Sequence, residues 1–403
     1  MIKYEMLSKD KIMSEQNNLV LHQGIYKKKV GVSSAVFMIT GMTIGAGVLG
    51  VPYVVSRVGL AIGLGYIIIL GLIILLLNLM IGEIVVRTKG NFQLPGLAGK
   101  YIGPWAKVLM SVMIAVGGIG ALLAYLIGEG ESLANLFGGL PEWWAVTFWI
   151  VGSISIWRGL QTVKVLEKFF SIIVLSIIIG LSFGIMPHVN WQNFHYYSLN
   201  NFFLPFGVIL FALQASPAIA EAHALLPDDP KKFKKALVIG TLIPMLVYVL
   251  FAIATVGVLG LSTTPLVSLA LGNKFGFGIK ILIDTFAIFA MGSGFLGLGL
   301  ALKQTLVWDW RLSPFLAVLL TILAPLIFYM LGWHDFLKVI GLIGGVLLGL
   351  EALMLVFIYL RAQHYGDVPA ATYGLRHSHW AAITIFVVFT TVIIASIINL
   401  VNN

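Results

Sequence analysis

Long apolar runs separated by short polar segments occupy the sequence from residue 32 to its end. A run needs about 20 residues to cross the ~30 Å hydrocarbon core of a bilayer as a helix. The runs are apolar on all faces and show no period-2 alternation, which favours helices over the strands of a barrel. The pattern predicts an all-α integral membrane protein with 11 transmembrane helices. These are 32–57, 61–87, 105–130, 142–158, 164–186, 202–225, 236–260, 277–303, 312–331, 335–361 and 379–401.

The composition supports this prediction. Of the 403 residues, 59% are hydrophobic and 10% are charged, whereas a soluble domain carries about 25% charged residues. The chain contains no cysteine, which excludes disulfides, thiolate metal sites and thiol nucleophiles.

The Lys and Arg residues predict an orientation. With a cytoplasmic N-terminus, the 25 Lys and Arg residues all fall in inner segments except Arg57, Lys274, Lys280 and Lys338, and such an excess is typical of the cytoplasmic side. We expect an uncleaved cytoplasmic tail, an extracytoplasmic C-terminus and a location in the plasma or inner membrane. Because the net charge of +9 collects in these loops, the expected partner is the lipid bilayer and not nucleic acid.

The spacing of the runs indicates an internal repeat. A shift of about 172 residues places the first five runs almost on runs six to ten. Since five is an odd number, the second copy would enter from the opposite side, as in the inverted repeats of many secondary transporters. The predicted divisions are a tail (1–31), two five-helix repeats (32–201 and 202–362), and a connector with helix 11 (363–403). Even packing of unrelated helices is the alternative explanation.

Two runs contain helix breakers at matching positions. The first reads GMTIGAG from Gly41 to Gly47, and the sixth reads LQASPA around Pro217. Unwound backbone persists in a membrane only where it lines a cavity. Helix N-termini suit a carboxylate, free carbonyls suit an ammonium, and glycines such as Gly41, Gly45 and Gly47 let a ligand approach the chain. The breaks predict discontinuous helices 1 and 6 that bind an α-amino acid; a tight packing face is the alternative for the glycines.

Three stretches resemble a known family. GMTIGAGVLGVPY, SPAIAEAHALLPDDPKKFKKAL and GSGFLGLGLAL resemble the amino acid/auxin permease and hydroxy/aromatic amino acid permease group of the amino acid-polyamine-organocation superfamily. The resemblance covers nearly the whole chain. It implies the five-plus-five inverted-repeat fold and proton- or sodium-coupled uptake of amino acids.

The resemblance also implies which residues bind the substrate. It assigns backbone N–H groups to the carboxylate, carbonyls to the ammonium and side chains to the pocket wall. The N–H groups are those of Ala46 and Gly47, the carbonyls are those of Met42, Thr43, Phe211 and Ala212, and the side chains are Gln214, Ser216 and, more loosely, Tyr125.

A coupling-cation site between helices 1 and 8 is implied in the same way. It would use the carbonyls of Gly41, Ile44 and Ala290 and the hydroxyl of Ser293. The family often places a second hydroxyl after the serine, but this chain has Gly294, which removes a hard oxygen ligand and favours a proton over sodium. The lysine that some proton-coupled relatives carry halfway along helix 5 is also missing.

Carboxyl groups inside the apolar runs are candidate proton sites, because a charge at the bilayer centre is costly and needs a reason. Glu351 lies deepest and would carry a proton or clamp two helices. Glu221 follows the sixth-run break and would carry protons, gate the site or anchor the half-helix. Glu83 and Arg87, four residues apart in the second run, are placed to pair. The histidines show no metal-ligand spacing, so no metal or cofactor is expected beyond the coupling ion, H⁺ or Na⁺.

The function that these features favour is secondary active transport of neutral amino acids, with aromatic or other hydrophobic side chains as candidates. The chain has no P-loop, so an ion gradient would drive it. An amino acid-binding sensor without turnover is the alternative, because it would use the same pocket. An enzyme is disfavoured because no acid, base and nucleophile cluster on adjoining runs, and a channel because no charge ring or filter is present. The oligomeric state is left open.

Overall fold

A computed structural model describes most of the chain. The described residues are 19–22, 25–28, 31–45, 47–90, 92–158, 160–368, 375 and 378–402. Within the predicted tail, strands β1 (Leu19–His22) and β2 (Ile25–Lys28) pair antiparallel, with Leu19 opposite Lys28. The regular structure of every other described segment is helical.

In the described part of the chain, sixteen α-helices follow the hairpin. In chain order they are α1 (Val32–Thr43), α2 (Gly47–Val58), α3 (Leu60–Val86), α4 (Leu94–Tyr101), α5 (Pro104–Phe137), α6 (Pro141–Arg158), α7 (Leu160–Ile185), α8 (Leu204–Leu213), α9 (Ser216–Leu225), α10 (Pro230–Leu259), α11 (Val267–Phe275), α12 (Phe277–Gln304), α13 (Pro314–Met330), α14 (Phe336–Leu342), α15 (Leu348–Tyr365) and α16 (Ser378–Asn402). Short 3₁₀ turns lie at Met186–His188, Trp191–Phe194 and Gly260–Ser262, and π-helical turns lie at Thr305–Asp309 and Ile343–Leu347.

Proline and short polar side chains define where several helices begin. Pro104 and Pro314 occupy the first turns of α5 and α13, where a missing N–H is tolerated because it would have no intrahelical partner. The side chains of Asp229 and Ser313 each accept a hydrogen bond from the N–H three residues later. They cap α10 and α13 in the usual N-terminal manner.

The described helices include many that could cross a membrane. By length and hydropathy, 7 segments qualify, and the bent pair of α1 and α2 makes 8. Helix α13 and residues 379–394 of α16 are apolar but shorter. Helix α6 belongs to neither group, because its Arg, Glu, Pro and Trp residues lower its mean hydropathy. Each of the eleven predicted spans falls on a helix or a pair of helices, while the number of crossings and the inverted repeat stay predictions.

Two helices, α4 and α11, were not expected from the apolar pattern, because each is short and lies between long apolar runs. The predicted pair of Glu83 and Arg87 is confirmed, with Glu83 Oε1 2.8 Å from an Arg87 guanidinium nitrogen. The other carboxylate oxygen of Glu83 accepts hydrogen bonds from the Tyr359 hydroxyl at 3.1 Å and the Leu375 N–H at 3.0 Å. This buried carboxylate therefore joins α3, α15 and the segment before α16.

The packing of the helices brings the two interrupted spans together. Helix α1 packs against α9 and helix α2 packs against α8, while α10 covers α1 and α3. Helices α5 and α7 pack against α12, and both α7 and α12 also pack against α1. The two helix breaks therefore lie side by side in the middle of the bundle.

Candidate functional site

The first span is broken between α1 and α2. Helix α1 ends at Thr43, Ile44 leaves the helical region at ψ 80°, and α2 begins at Gly47 with its axis turned by 56°. The last carbonyls of α1 and the first N–H groups of α2 have no partner within their own helices. The predicted ligand Ala46 lies in this break but outside the described residues.

The sixth span is broken between α8 and α9. Gln214 is extended, at ψ 133°, and Ala215 has φ −139° and ψ 7°. Pro217 follows in the first turn of α9, a position where its missing N–H leaves no hydrogen bond unmade. Pro217 is also the residue that the repeat matched to Gly45, so both predicted breaks are present where the sequence placed them.

The two breaks touch backbone to backbone. A Cβ atom added to Gly47 would lie only 2.5 Å from the Cα atom of Ala212, so glycine is required for α2 to approach α8 this closely. The hydroxyl of Tyr248, on α10, lies 2.9 Å from the carbonyl oxygen of Thr43 and 3.0 Å from that of Ala212. Tyr248 is fully buried and connects the end of α1 to the end of α8.

Tyr248 changes the interpretation of two predicted ligands. The carbonyls of Thr43 and Ala212 were expected to face a substrate ammonium, but both already accept from this hydroxyl. One hydroxyl hydrogen serves two carbonyls, and each carbonyl oxygen has two lone pairs, so both keep accepting capacity. Sequence reasoning missed Tyr248. A buried tyrosine in an apolar span usually has a hydrogen-bond partner, and this is the signal that could have identified it.

A cavity lies beside the breaks. The centre of a water molecule can move through about 70 Å³ of it, several times the 10–15 Å³ that one water needs. Most of its wall is apolar or glycine. The predicted substrate residues in the wall are Met42, Thr43, Gly45, Gly47, Tyr125, Phe211 and Gln214, and they are joined by Glu351, Met113, Ile114, Gly117, Gly118, Ala121, Ala215, Pro217, Gly294, Leu298, Ile343 and Leu348.

Glu351 reaches the sixth-span break from α15. Its carboxylate oxygens accept hydrogen bonds from the Gln214 side-chain amide at 3.3 and 3.4 Å, and the same amide nitrogen lies 3.3 Å from the hydroxyl of Ser216. Ser216 is buried behind Gln214 and does not line the cavity. The structure therefore brings the predicted proton site Glu351 together with the predicted substrate residues.

Tyr125 crosses the cavity from α5 and packs against two glycines. A Cβ atom at Gly45 would lie 2.7 Å from the Tyr125 hydroxyl, and one at Gly294 would lie 2.6 Å from the same ring. No side chain fits at either position unless the ring moves. Gly294 stands where the family pattern has a second hydroxyl residue. The missing side chain at this position leaves the space that the Tyr125 ring occupies.

Two residues of the predicted cation site, Gly41 and Ser293, lie close together. A Cβ atom at Gly41 would touch the hydroxyl of Ser171 on α7 and would lie 3.8 Å from that of Ser293 on α12. The Ser293 hydroxyl is buried and has no hydrogen-bond partner among the described residues. Ile44 and Ala290 are buried, and each lies three residues along the chain from Gly41 or Ser293, respectively. Ser171 was missed, because nothing in the sequence distinguished it from other serines of helix 5.

Glu221 stands apart from the cavity. It lies on α9, is 8% exposed and is absent from the cavity wall. In the described part of the chain, no three His, Cys, Asp or Glu residues are grouped to hold a metal ion.

Most of the chain is similar in sequence to known proteins. The sequence model of the tryptophan/tyrosine permease family matches residues 28–396. Glutamine transporter 2 of Aliivibrio fischeri is 22% identical over 327 residues, which are 77% of this chain and 84% of that protein. Tyrosine-specific transport system 1 of Haemophilus influenzae is 21% identical over 369 residues, covering 84% and 90% of the two chains. The tryptophan-specific transport protein of Pseudomonas aeruginosa is 23% identical over 350 residues, covering 76% and 80%.

Two solved structures share the fold. MhsT in complex with L-phenylalanine superposes with a TM-score of 0.65 and 15% identity, covering 91% of this chain and 97% of MhsT. Mhp1, a nucleobase-cation-symport-1 family transporter in a closed conformation with bromovinylhydantoin bound, superposes with a TM-score of 0.60 and 15% identity, covering 94% and 93%. At this identity the similarity concerns the fold alone.

Proposed function

The chain belongs to the tryptophan/tyrosine permease family, and from this membership we propose that it is a secondary active transporter of neutral amino acids. It is a multi-pass membrane protein with several helices long enough to cross a bilayer. A transporter of this kind moves its substrate without making or breaking covalent bonds, so we assign it no enzymatic activity.

The backbone at the two breaks binds the zwitterion in this proposal. The N-terminus of α2 at Gly47 offers N–H groups and partial positive charge to the carboxylate. The carbonyls of Met42 and Phe211, together with the spare lone pairs of Thr43 and Ala212, accept from the ammonium. The observation that carries the proposal is that two interrupted helices meet at one cavity whose wall contains seven of the predicted substrate residues, while Gly41, Ala212 and Ser216 lie outside that wall.

The cavity wall favours a neutral side chain that is aromatic or otherwise hydrophobic. Its polar side chains are few, and Gln214 and Glu351 bond to each other. Binding sites of this kind use an apolar wall for affinity and a few polar groups for orientation. The relatives named for tyrosine, tryptophan and glutamine define the first substrates to test.

The proposed architecture has eleven crossings and an inverted repeat. Residues 32–201 and 202–362 form the two repeats, helix 11 is additional, the N-terminus is cytoplasmic and the C-terminus is extracytoplasmic. The matched breaks and the similarity to MhsT and Mhp1 support this arrangement. Transport then follows from rocking one group of helices against the other around a fixed site.

An ion gradient drives uptake in this proposal, with H⁺ favoured over Na⁺. Glu351 supports proton coupling because its carboxylate lies in the cavity wall beside the sixth-span break. Glu221 is the second candidate carrier. Sodium would instead use the group formed by Gly41, Ile44, Ala290 and Ser293, in which Gly294 offers no hydroxyl.

Uptake into proteoliposomes tests the proposal. Purified protein is reconstituted, and labelled tyrosine, tryptophan and glutamine are supplied under a pH gradient alone or a sodium gradient alone. We expect saturable uptake above that of protein-free liposomes, with stimulation by the pH gradient and not by sodium. Saturable binding without uptake would support the sensor instead, and stimulation by sodium alone would overturn the proton assignment.

A further inference from the structure

A carboxyl group outside the predicted site is buried in the C-terminal third of α5. Glu129 lies one helical turn from Tyr125, and its side chain is 0% exposed. Neither of its carboxylate oxygens has a hydrogen-bond partner among the described residues. A carboxyl that only filled space would be replaced at lower cost by an apolar side chain of similar volume, because a buried polar group without partners is destabilising.

Apolar groups surround this carboxyl. A Cβ atom added to Gly292 on α12 would lie 3.6 Å from Glu129 Oε1, 3.8 Å from the ring of Phe170 on α7 and 3.9 Å from the ring of Phe148 on α6. Glu129 Oε1 and these two rings therefore lie around one point beside Gly292, where α5, α6, α7 and α12 meet. An isolated carboxylate anion is not stable in such surroundings, so Glu129 is a neutral carboxylic acid in this conformation.

Titratable side chains are sparse on the parts of the helices that lie beside Glu129. On α12, α6 and α7, residues 286–300, 143–157 and 169–185 contain no titratable side chain. On α5 itself, Tyr125 is the neighbour on the same face, one turn away. Elsewhere on helices packed against α5, Lys338 pairs with Asp335, Glu131 lies near the charge of His334, and Glu351 accepts from Gln214. Asp284 on α12 is a second buried carboxyl without a hydrogen-bond partner among the described residues. The ends of these helices also carry Lys100 and Tyr101 on α4, Arg158 on α6 and Lys303 on α12.

Glu129 also lies between two parts of the proposed transport machinery. On one side, Tyr125 lines the cavity and packs against Gly45 and Gly294. On the other side, Gly292 directly precedes Ser293, whose hydroxyl likewise has no partner in the described part of the chain. A movement of α12 relative to α5 or α7 would change the surroundings of Glu129, Tyr125 and Ser293 together.

We propose that Glu129 is a proton-binding site of the transport cycle. It holds its proton in the closed apolar environment seen here and gives that proton to water when the helices around it separate, leaving a hydrated carboxylate. The next proton enters from water on the opposite side of the membrane. This inference rests on the proposed function and adds a third carboxyl to Glu351 and Glu221.

Glu129→Gln tests the proposal, because glutamine imitates the neutral acid in size and cannot release a proton. Purified variants are compared in proteoliposomes by two assays, tyrosine uptake driven by a pH gradient and exchange of labelled for unlabelled tyrosine without a gradient. We expect Glu129→Gln to exchange at a rate within about threefold of native and to lose stimulation by the pH gradient. Glu129→Asp, which keeps a titratable group, is expected to retain part of that stimulation. The matched control is Glu131→Gln, two residues away on another face of α5, which is expected to behave as native.

Infrared spectroscopy of the membrane-reconstituted protein supplies a readout that does not depend on transport. At neutral pH the native protein is expected to show a carbonyl-stretch band of a protonated carboxylic acid that is missing in Glu129→Gln and present in Glu131→Gln. Absence of this band from the native spectrum would overturn the proposal whatever the uptake data show. Full stimulation of Glu129→Gln by the pH gradient would overturn it while leaving the transporter assignment intact. Failure of native protein to take up any amino acid would overturn the proposed function, and the role of Glu129 in transport with it.

Discussion

Removing the hydroxyl of Tyr248 tests whether the two helix breaks are held together as a binding site. In native protein this hydroxyl lies 2.9 Å from the Thr43 carbonyl and 3.0 Å from the Ala212 carbonyl, and its side chain is 0% exposed. Tyr248→Phe keeps the ring and its packing and removes only the donor. The two carbonyls then lose their shared partner at the point where the substrate ammonium is proposed to bind.

The size of the effect follows from the number of donors lost. One hydroxyl hydrogen serves two acceptors, so the variant loses one hydrogen bond and leaves buried acceptors under-satisfied, at a cost of about 1–3 kcal/mol. If that energy maintains the geometry of the breaks, its loss weakens amino acid binding by at most the same amount. The upper end of that range corresponds to an affinity reduction of about 150-fold, since 1.4 kcal/mol corresponds to a factor of ten, and a reduction of about 5-fold or more up to this limit is expected.

Equilibrium binding of labelled tyrosine to the purified protein measures this change, and thermal unfolding is recorded in parallel. Tyr66→Phe is the matched control, because the Tyr66 hydroxyl also donates to a backbone carbonyl, that of Phe202, at 2.7 Å, and neither residue lines the cavity. We expect both variants to unfold at a lower temperature and only Tyr248→Phe to lose affinity. If Tyr248→Phe destabilises the protein as Tyr66→Phe does but binds with native affinity, the hydroxyl does not organise the site.

Three further substitutions test separate parts of the structure. Gly47→Ala would place a methyl group 2.5 Å from a backbone carbon of α8, an overlap worth about 1–3 kcal/mol, so tyrosine binding is expected to weaken. The control is Gly65→Ala, whose Cβ meets nothing within 4 Å and which should bind tyrosine as native protein does. If Gly47→Ala and Gly65→Ala bind tyrosine equally well, the close contact between α2 and α8 is refuted. Glu351→Gln should retain tyrosine exchange in proteoliposomes and lose stimulation by a pH gradient; full stimulation would exclude it as a proton carrier. Glu83→Ala leaves the mostly buried Arg87 without its carboxylate partner. Because breaking a buried pair costs about 3–5 kcal/mol, the melting temperature of this variant should fall. An unchanged melting curve would show that the pair contributes little to stability.

The apolar pattern predicted the helices well because a bilayer imposes their length and composition. A run of about 20 apolar residues has few alternatives to a helix in hydrocarbon. Glycine and proline likewise marked both breaks, at Gly45 and Pro217, because these residues act on the backbone locally. The short helices α4 and α11 were missed because they lack the length that the pattern detects.

The side-chain contacts of the site were less accessible from sequence. Glu351 and Gln214 are 137 residues apart, and Tyr248 is 205 residues from Thr43, so these contacts depend on how distant helices pack. Glu129 was overlooked because it lies one residue from the end of the predicted run 105–130 and close to Glu131, where a carboxyl group is usually hydrated and carries no signal of burial. Tyr125 was assigned only loosely, and its packing against the Gly45 and Gly294 positions became evident from the structure alone.

A single thiol in the cavity tests the central claim most directly. The chain has no cysteine, so Ala121→Cys would introduce the one reactive thiol into the cavity wall. Ala134→Cys, on the same helix but outside that wall, is the control. We predict that saturating tyrosine slows the reaction of Ala121→Cys with a small thiol reagent and leaves that of Ala134→Cys unchanged. If tyrosine is taken up by Ala121→Cys protein but the labelling rate is the same with and without it, the substrate binds elsewhere and the site between the helix breaks is refuted.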